Sequence, residues 1–245
     1  MYKHRIALAA GFASLLAASL AFSADPPLKP LFAEGPVKTG WVVGHWADVA
    51  EPAKKPITWS VKDGVLTAQK LPKDWVGTWL MSEREYGNFI LELDFKFKEG
   101  GNRGNGGIAL RAPLKGDPAY EGFEMQITDP RYERSFFPDA RPEQLTGALY
   151  LVQPPEKQMY KADDWNHYRI ELRGSKVKAW LNGEQIQDVD LSTLTAPAKK
   201  HGEGQELLDA TPGAKRPLRG HIGFQDLSDD GEVLMFRNVR IAELG

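Results

Sequence analysis

The sequence predicts an all-β fold, a two-sheet antiparallel β-sandwich. About a dozen short stretches alternate apolar and polar residues with period two, turn residues separate them, and no long stretch carries an apolar stripe of helical period. One sheet of that many strands would leave an apolar face uncovered, whereas two sheets packed face to face bury both.

The chain begins with Lys3, His4 and Arg5 ahead of an apolar run over 6–22, the pattern of a secretory signal peptide. Small residues at Ser19/Ala21 and Ala21/Ser23 offer cleavage pairs, and cleavage after Ala24 is a further choice that Phe22 fits poorly. A retained anchor calls for about 20 apolar residues; this run is shorter and is interrupted by Gly11, Ser14 and Ser19. The expected boundaries are 1–24 for the signal peptide, 25–36 for an extended leader carrying Pro26, Pro27, Pro30 and Pro36, and 37–245 for one β domain. Export to the periplasm or beyond is expected, with no membrane association after cleavage.

Trp41 opens the globular part. Strands are expected over 57–61 and 65–68, joined by the Asp63-Gly64 turn, and over 79–82. The clearest strand covers 88–98, with Phe89, Leu91, Leu93, Phe95 and Phe97 on one face and Glu92, Asp94 and Lys96 on the other. Further strands are expected over 108–111, 122–128, 147–151, 165–172, 176–181, 184–189, 220–225 and 233–241. Arg173-Gly174-Ser175 and Asn182-Gly183 read as hairpin turns, the second suited to type I′ because both positions tolerate positive φ. Two long loops remain. The loop over 130–146 places Tyr132, Phe136 and Phe137 beside Arg131, Arg134 and Asp139 and suits a lid; the loop over 192–219 reads as a solvated insertion.

The 245 residues carry a net charge of -2, or -4 once Lys3 and Arg5 are removed with the signal peptide. That balance lacks the clustered basic excess that nucleic acid or anionic membrane demands. The absence of Cys rules out a disulfide framework, a thiolate nucleophile and a lipid-anchored N-terminal Cys. The His residues show no paired ligand spacing, so no metal site is expected, although a structural calcium held by loop oxygens leaves no firm spacing to read. There is no G-x-S-x-G elbow. The Gly-rich stretch over 100–107 lacks the Lys-Ser/Thr of a phosphate loop; Gly106 and Gly107 read instead as a place where backbone passes close to a ligand.

The chemistry concentrates in Gly122-Phe-Glu-Met-Gln-Ile-Thr-Asp129. As a strand it puts Glu124, Gln126 and Thr128 on one face, and a bulge after Thr128 would add Asp129. Two carboxylates flanking an amide suit a sugar, yet the amide at 126 cannot carry charge between them as glycosidase chemistry asks. Trp46, Trp75 and Trp79 are candidates to stack on pyranose rings, while Trp59 and Trp180 fall in strands and read as core. His167, beside Arg169, reads as surface.

Taken in order, Trp41, Asp63-Gly64, Asn105-Gly-Gly-Ile-Ala-Leu-Arg111, Gly122-Phe-Glu-Met-Gln-Ile-Thr-Asp129, Thr146-Gly-Ala-Leu-Tyr150, Trp180-Leu-Asn-Gly183, Gly220-His-Ile-Gly-Phe-Gln225 and Phe236-Arg-Asn-Val-Arg240 resemble the 3-keto-disaccharide hydrolase domain family over 31–244. The resemblance implies a concanavalin A-like jelly roll and a carbohydrate substrate already oxidised at C3 by a separate sugar 3-dehydrogenase. A C3 ketone acidifies the C2 proton, so one base suffices to start elimination of the C1 substituent, with water adding afterwards. On that basis Glu124 is the expected base and Asp129 the acid. Asn105, Arg111, Gln126, Tyr150, Gln225 and Asp226 are expected to bind sugar, and no cofactor is required. The sequence departs from the family pattern at Leu227-Ser228, where His-Gly is usual, and at Gly106, where Ser is usual. The alternatives are a lectin-like binding module and a structural domain of the cell envelope.

Overall fold

The computed structural model describes residues 25–69, 77–98, 104–129, 131, 140–202, 206–227 and 234–245. The expected signal peptide at 1–24, Trp75 and the aromatic residues of the expected lid lie outside them. Among the described residues no helix is long and apolar enough to cross a membrane.

The alternating stretches form strands, all paired antiparallel. A nine-stranded sheet runs β12 (Glu184–Asp190), β11 (Lys176–Leu181), β10 (Asn166–Arg173), β7 (Phe89–Phe97), β16 (Leu234–Glu243), β5 (Val65–Gln69), β4 (Thr58–Lys62), β2 (Gly35–Pro36), with β1 (Lys29–Pro30) also on β16. A five-stranded sheet runs β3 (Trp41–His45), β6 (Thr78–Tyr86), β15 (Gly220–Asp226), β8 (Asn105–Ala112), β9 (Phe123–Thr128). The two pack as a sandwich. Trp59, Leu91, Phe95 and Phe236 of the larger sheet share one core with Ile108, Phe123, Met125 and Phe224 of the smaller. The buried Tyr168 hydroxyl donates to the Gln126 carbonyl at 2.9 Å, satisfying the polar end of a core aromatic and tying β10 to β9.

Turn chemistry is where the sequence placed it. Asp63 and Gly64 have φ of 53° and 75°, Asn182 and Gly183 of 55° and 86°. Both pairs take the left-handed conformation of a type I′ hairpin. Four expectations need correction. The leader is more than extended chain, because β1 and β2 stitch it onto the large sheet. Residues 147–151 form no strand: positive φ at Gly147 and Leu151 folds the segment back, leaving Leu149 bridged to Met125 and Gln153. The region 192–219 is largely exposed, as expected, but it is not an irregular loop, since β13 (Ala198–His201) pairs with β14 (Leu207–Ala210) in a ribbon beside the small sheet. Trp180 alternates outward and lies half-buried under the Arg169 guanidinium, outside the core.

Arg111 also departs from simple alternation. Between His221↔Ala112 and Gly223↔Ala109, β8 spends one residue more than β15, and Arg111 takes φ of 56° in this bulge. Its side chain is fully buried and donates to the carbonyls of Gly87 and Gly174 at 2.8 and 2.6 Å and to Asn88 Oδ1 at 3.4 Å. Burial pulls its pKa down to about 10, and the guanidinium clamps two turns at the end of the sandwich. Arg111→Met is therefore expected to cost about 3 kcal/mol of stability in a denaturant titration and to leave KM unchanged. A raised KM at unchanged stability would return Arg111 to the substrate.

Candidate active site

The outer face of the five-stranded sheet carries the site. On β9, Phe123, Met125 and Ile127 enter the core, so Glu124 and Gln126 point the other way. Asn105 and Gly107 of β8 and Gln225 of β15 share that face, in register Asn105↔Thr128, Gly107↔Gln126 and Gln225↔Gly107. Together with surrounding loops they line a cavity of about 580 Å³. Glu124, Gln126, Asn105 and Gln225 form its polar floor.

Glu124 is only 4% exposed, and its carboxyl leans across β8 in the space a side chain at 107 would occupy. Gly107 thus makes room for Glu124 rather than for a ligand. The Gln225 amide is assigned with its oxygen toward the Trp79 indole N–H at 3.2 Å, because that group can only donate, and in this orientation its Nε2 donates to Glu124 Oε1 at 3.1 Å. The same indole N–H reaches the Trp46 carbonyl at 3.0 Å. Burial, and then the charge of Asp117, push the Glu124 pKa well above the usual carboxylate range. The Gln225 N–H pulls the other way, because it favours the ionised form.

Gln126 is oriented by a partner that can only accept: Nε2 donates to the Gln144 carbonyl at 3.2 Å and contacts Asn105 Oδ1 at 3.5 Å. Asn105 Oδ1 is then the acceptor, and its Nδ2 hydrogens remain to be used in the cavity. The buried Gln126 Oε1 has no hydrogen-bond partner among the described residues. Tyr150 is fixed by its main chain, whose N–H donates to the Glu124 carbonyl at 2.9 Å, and its ring lines the cavity.

The walls come from residues the sequence did not single out. Asp117 caps the one-turn helix α1 (Pro118–Glu121), accepting from the Ala119 N–H at 3.0 Å. Burial raises the Asp117 pKa to about 7, against the Ala119 hydrogen bond and with Glu121 and Asp48 adding to the rise. Arg216, buried over the Phe123 ring, donates from Nη1 to the Ala119 and Gly122 carbonyls at 2.9 and 2.8 Å and so holds both ends of the α1 turn. The Tyr120 hydroxyl accepts from the His201 main-chain N–H at 3.2 Å, which seats the β13–β14 ribbon against α1. Gln144 accepts the Arg141 N–H at 3.1 Å, so its Nε2 is the donor toward His201 Nε2 at 3.2 Å and that ring nitrogen accepts. The rings of Tyr120, Tyr150 and His201 stand 6.4 Å apart in succession and form an aromatic wall, and Trp46 also lines the cavity.

Five of the eight expected site residues, Glu124, Gln126, Asn105, Tyr150 and Gln225, meet at this cavity. Three do not line it. Arg111 is bound to distant turns. Asp129 follows a regular β9 with no bulge at its end, so alternation turns it away; Arg131 grips both its oxygens at 2.8 and 2.6 Å and the Tyr160 hydroxyl donates at 3.0 Å. Those partners outweigh burial and hold Asp129 below the usual carboxylate range, which suits a fixed ion pair and not an acid. Asp226, one residue past Gln225, alternates inward and is fully buried. Of the tryptophans, Trp46 lines the cavity and Trp79 lies wholly beneath it. Leu227, where the sequence departs from the family pattern, lines the cavity too. Among the described residues no group of three or more His, Asp or Glu side chains is arranged to hold a metal ion.

Comparison with known proteins gives consistent results. The sequence model of the 3-keto-alpha-glucoside-1,2-lyase-like domain matches residues 28–242. A 3-keto-disaccharide hydrolase of Bacteroides thetaiotaomicron is 25% identical over 233 residues, spanning 86% of this chain and 77% of that protein. The crystal structure of a predicted glycosyl hydrolase from Parabacteroides distasonis superposes with a TM-score of 0.61 at 29% identity, over 76% of this chain and 90% of the other. Lectin II from Ulex europaeus shares the fold, with a TM-score of 0.55 at 10% identity over 86% of this chain and 96% of the lectin.

Proposed function

Because the chain belongs to the 3-keto-alpha-glucoside-1,2-lyase-like domain family, we propose that it is a glycoside-cleaving enzyme acting on sugars oxidised to a ketone at C3. Glu124 removes the C2 proton, the enolate expels the C1 substituent, and water adds to the resulting enone. The observation that carries this reading is Glu124 itself, a single buried carboxyl on the floor of the cavity, flanked along its strand by an amide. A base taking an acidified C–H proton gains from a raised pKa, since proton affinity rises with it. The cavity, about 580 Å³, lies in the range of small-ligand sites and has room for a disaccharide.

The other groups support the same chemistry. Asn105 Nδ2 is a donor for the ketone oxygen as it becomes an enolate. Asp117, with a pKa of about 7, carries a proton for the departing oxygen over part of the neutral range, the role the sequence suggested for Asp129. Tyr120 and Tyr150 offer ring faces to a pyranose. A separate sugar 3-dehydrogenase has to supply the substrate, and the apolar leader at 1–24 supports a reaction outside the cytoplasm. None of these steps calls for a cofactor.

Incubation of the purified protein with a 3-keto-disaccharide and with its unoxidised parent tests the reading. Selective loss of the keto sugar is expected. The lectin-like fold favours one competing reading, a binding module, which predicts binding of either sugar without turnover.

A further inference from the structure

We infer that Gln225 is a positioning residue for Glu124, selecting Oε2 as the oxygen that meets the substrate, and does not itself bind sugar. This rests on the reading of Glu124 as the base.

Glu124 and Gln225 stand on strands separated by β8, two spacings of about 4.8 Å and so nearly 10 Å between strands, and Glu124, which pairs with Ala109, lies two residues along from Gln126, the residue across β8 from Gln225. Two long side chains extended toward each other close that gap only if the intervening position has no side chain, and the intervening position is Gly107, paired with Gln225 on one side and Gln126 on the other. The contact that results is Gln225 Nε2 to Glu124 Oε1 at 3.1 Å.

The direction of that bond is not free. The indole Nε1 of Trp79 can only donate, and it faces the Gln225 amide oxygen at 3.2 Å. The Gln225 nitrogen must therefore be the end that faces Glu124. Trp79 is wholly buried and its N–H also reaches the Trp46 carbonyl, so the amide is backed by a rigid indole. Gln225 is itself 4% exposed. One oxygen of Glu124 is thereby committed as an acceptor, and the other is left to take the proton. The amide adds a second effect: an N–H donated to a carboxylate favours the charged form, which offsets part of the rise that burial imposes on the Glu124 pKa.

Other ionisable groups share the cavity: Asp117, Tyr120 and Glu121 from the α1 turn, Tyr150 from the following loop, and Lys200 and His201 from the ribbon. The test therefore has to read Glu124 directly. In protein labelled with 13C at the Glu side-chain carboxyl, the Glu124 signal, assigned by its absence in Glu124→Gln, is titrated in wild type and in Gln225→Leu. The expected result is a midpoint raised by about 1 pH unit in the variant. The acid limb of kcat/KM on a 3-keto-disaccharide moves up with it, and KM changes less than twofold. Trp79→Phe, which removes the orienting N–H, should shift the midpoint in the same direction by a smaller amount, and serves if Gln225→Leu does not fold. An unmoved Glu124 midpoint, or a raised KM at an unmoved midpoint, would overturn the assignment and make Gln225 a sugar ligand or a packing residue. A raised midpoint in a protein that does not turn over keto sugars would leave the contact standing and remove the catalytic reading instead.

Discussion

Glu124→Gln should lower kcat on a 3-keto-disaccharide by about 10²–10⁴-fold, the usual worth of a positioned general base, with little change in KM. Gln keeps the shape and can still accept the Gln225 N–H, so the loss isolates proton transfer. In the wild type, activity needs the ionised carboxyl, and burial raises its pKa; kcat/KM should therefore climb with pH along a limb displaced above the usual Glu range. The same shift has a consequence for stability with a definite sign. A carboxyl whose folded pKa lies above its unfolded value of about 4.3 favours the folded state when protonated, and that contribution is lost as pH rises through the folded pKa. Glu124→Gln should thus melt higher than wild type at pH 8, with the difference shrinking toward pH 4. Equal melting at every pH together with unchanged kcat would remove Glu124 from the centre of the site.

Gly107→Ala should lose activity by about 10²-fold or more while remaining folded. The backbone at 107 is ordinary strand, so Ala is accepted conformationally. The added Cβ, however, overlaps the Glu124 carboxyl, and the far end of a flexible side chain moves more cheaply than two paired strands. Displacing the base by an ångström has an effect of this order on reactions that depend on alignment. Because both changes act through the same carboxyl, Gly107→Ala combined with Glu124→Gln should be scarcely worse than Glu124→Gln alone. Multiplicative losses in the double variant would show that Gly107 serves something other than the base, such as the close approach of substrate to backbone.

How far the site could be read in advance follows from where its residues sit. Glu124, Gln126, Asn105 and Gln225 lie on strands whose opposite faces are unmistakably apolar, so period-two alternation alone turns them out to the same side. Asp129 reaches that side only if β9 bulges after Thr128, and Asp226 only if the end of β15 departs from alternation. Neither does, and both carboxyls fall on the other face. Arg111 shows the reverse, because a bulge was present where regular alternation was assumed, and a single extra residue redirected the longest side chain on β8. The Asp117-Pro118 pair carried a readable signal, a cap followed by Pro at the start of a helix. His201 carried none. Its place in the wall depends on a ribbon over 198–210 docking against α1 through the Tyr120 hydroxyl, a contact between segments some 80 residues apart.

The sequence by itself determined the sandwich, its turns and the polar face of β9, because those follow from local rules: side-chain alternation, positive φ at Asx-Gly pairs, and apolar residues kept from water. It also carried the family resemblance over nearly the whole domain. Tertiary structure alone decided which carboxyl shares the cavity with Glu124, which amide orients it, and why residue 107 is glycine. The last two depend on the register of β8 against β9 and against β15, where a shift of one residue exchanges the two faces of a strand, and the first on how α1 sits at the cavity wall. No pattern within a single strand encodes what lies across from it.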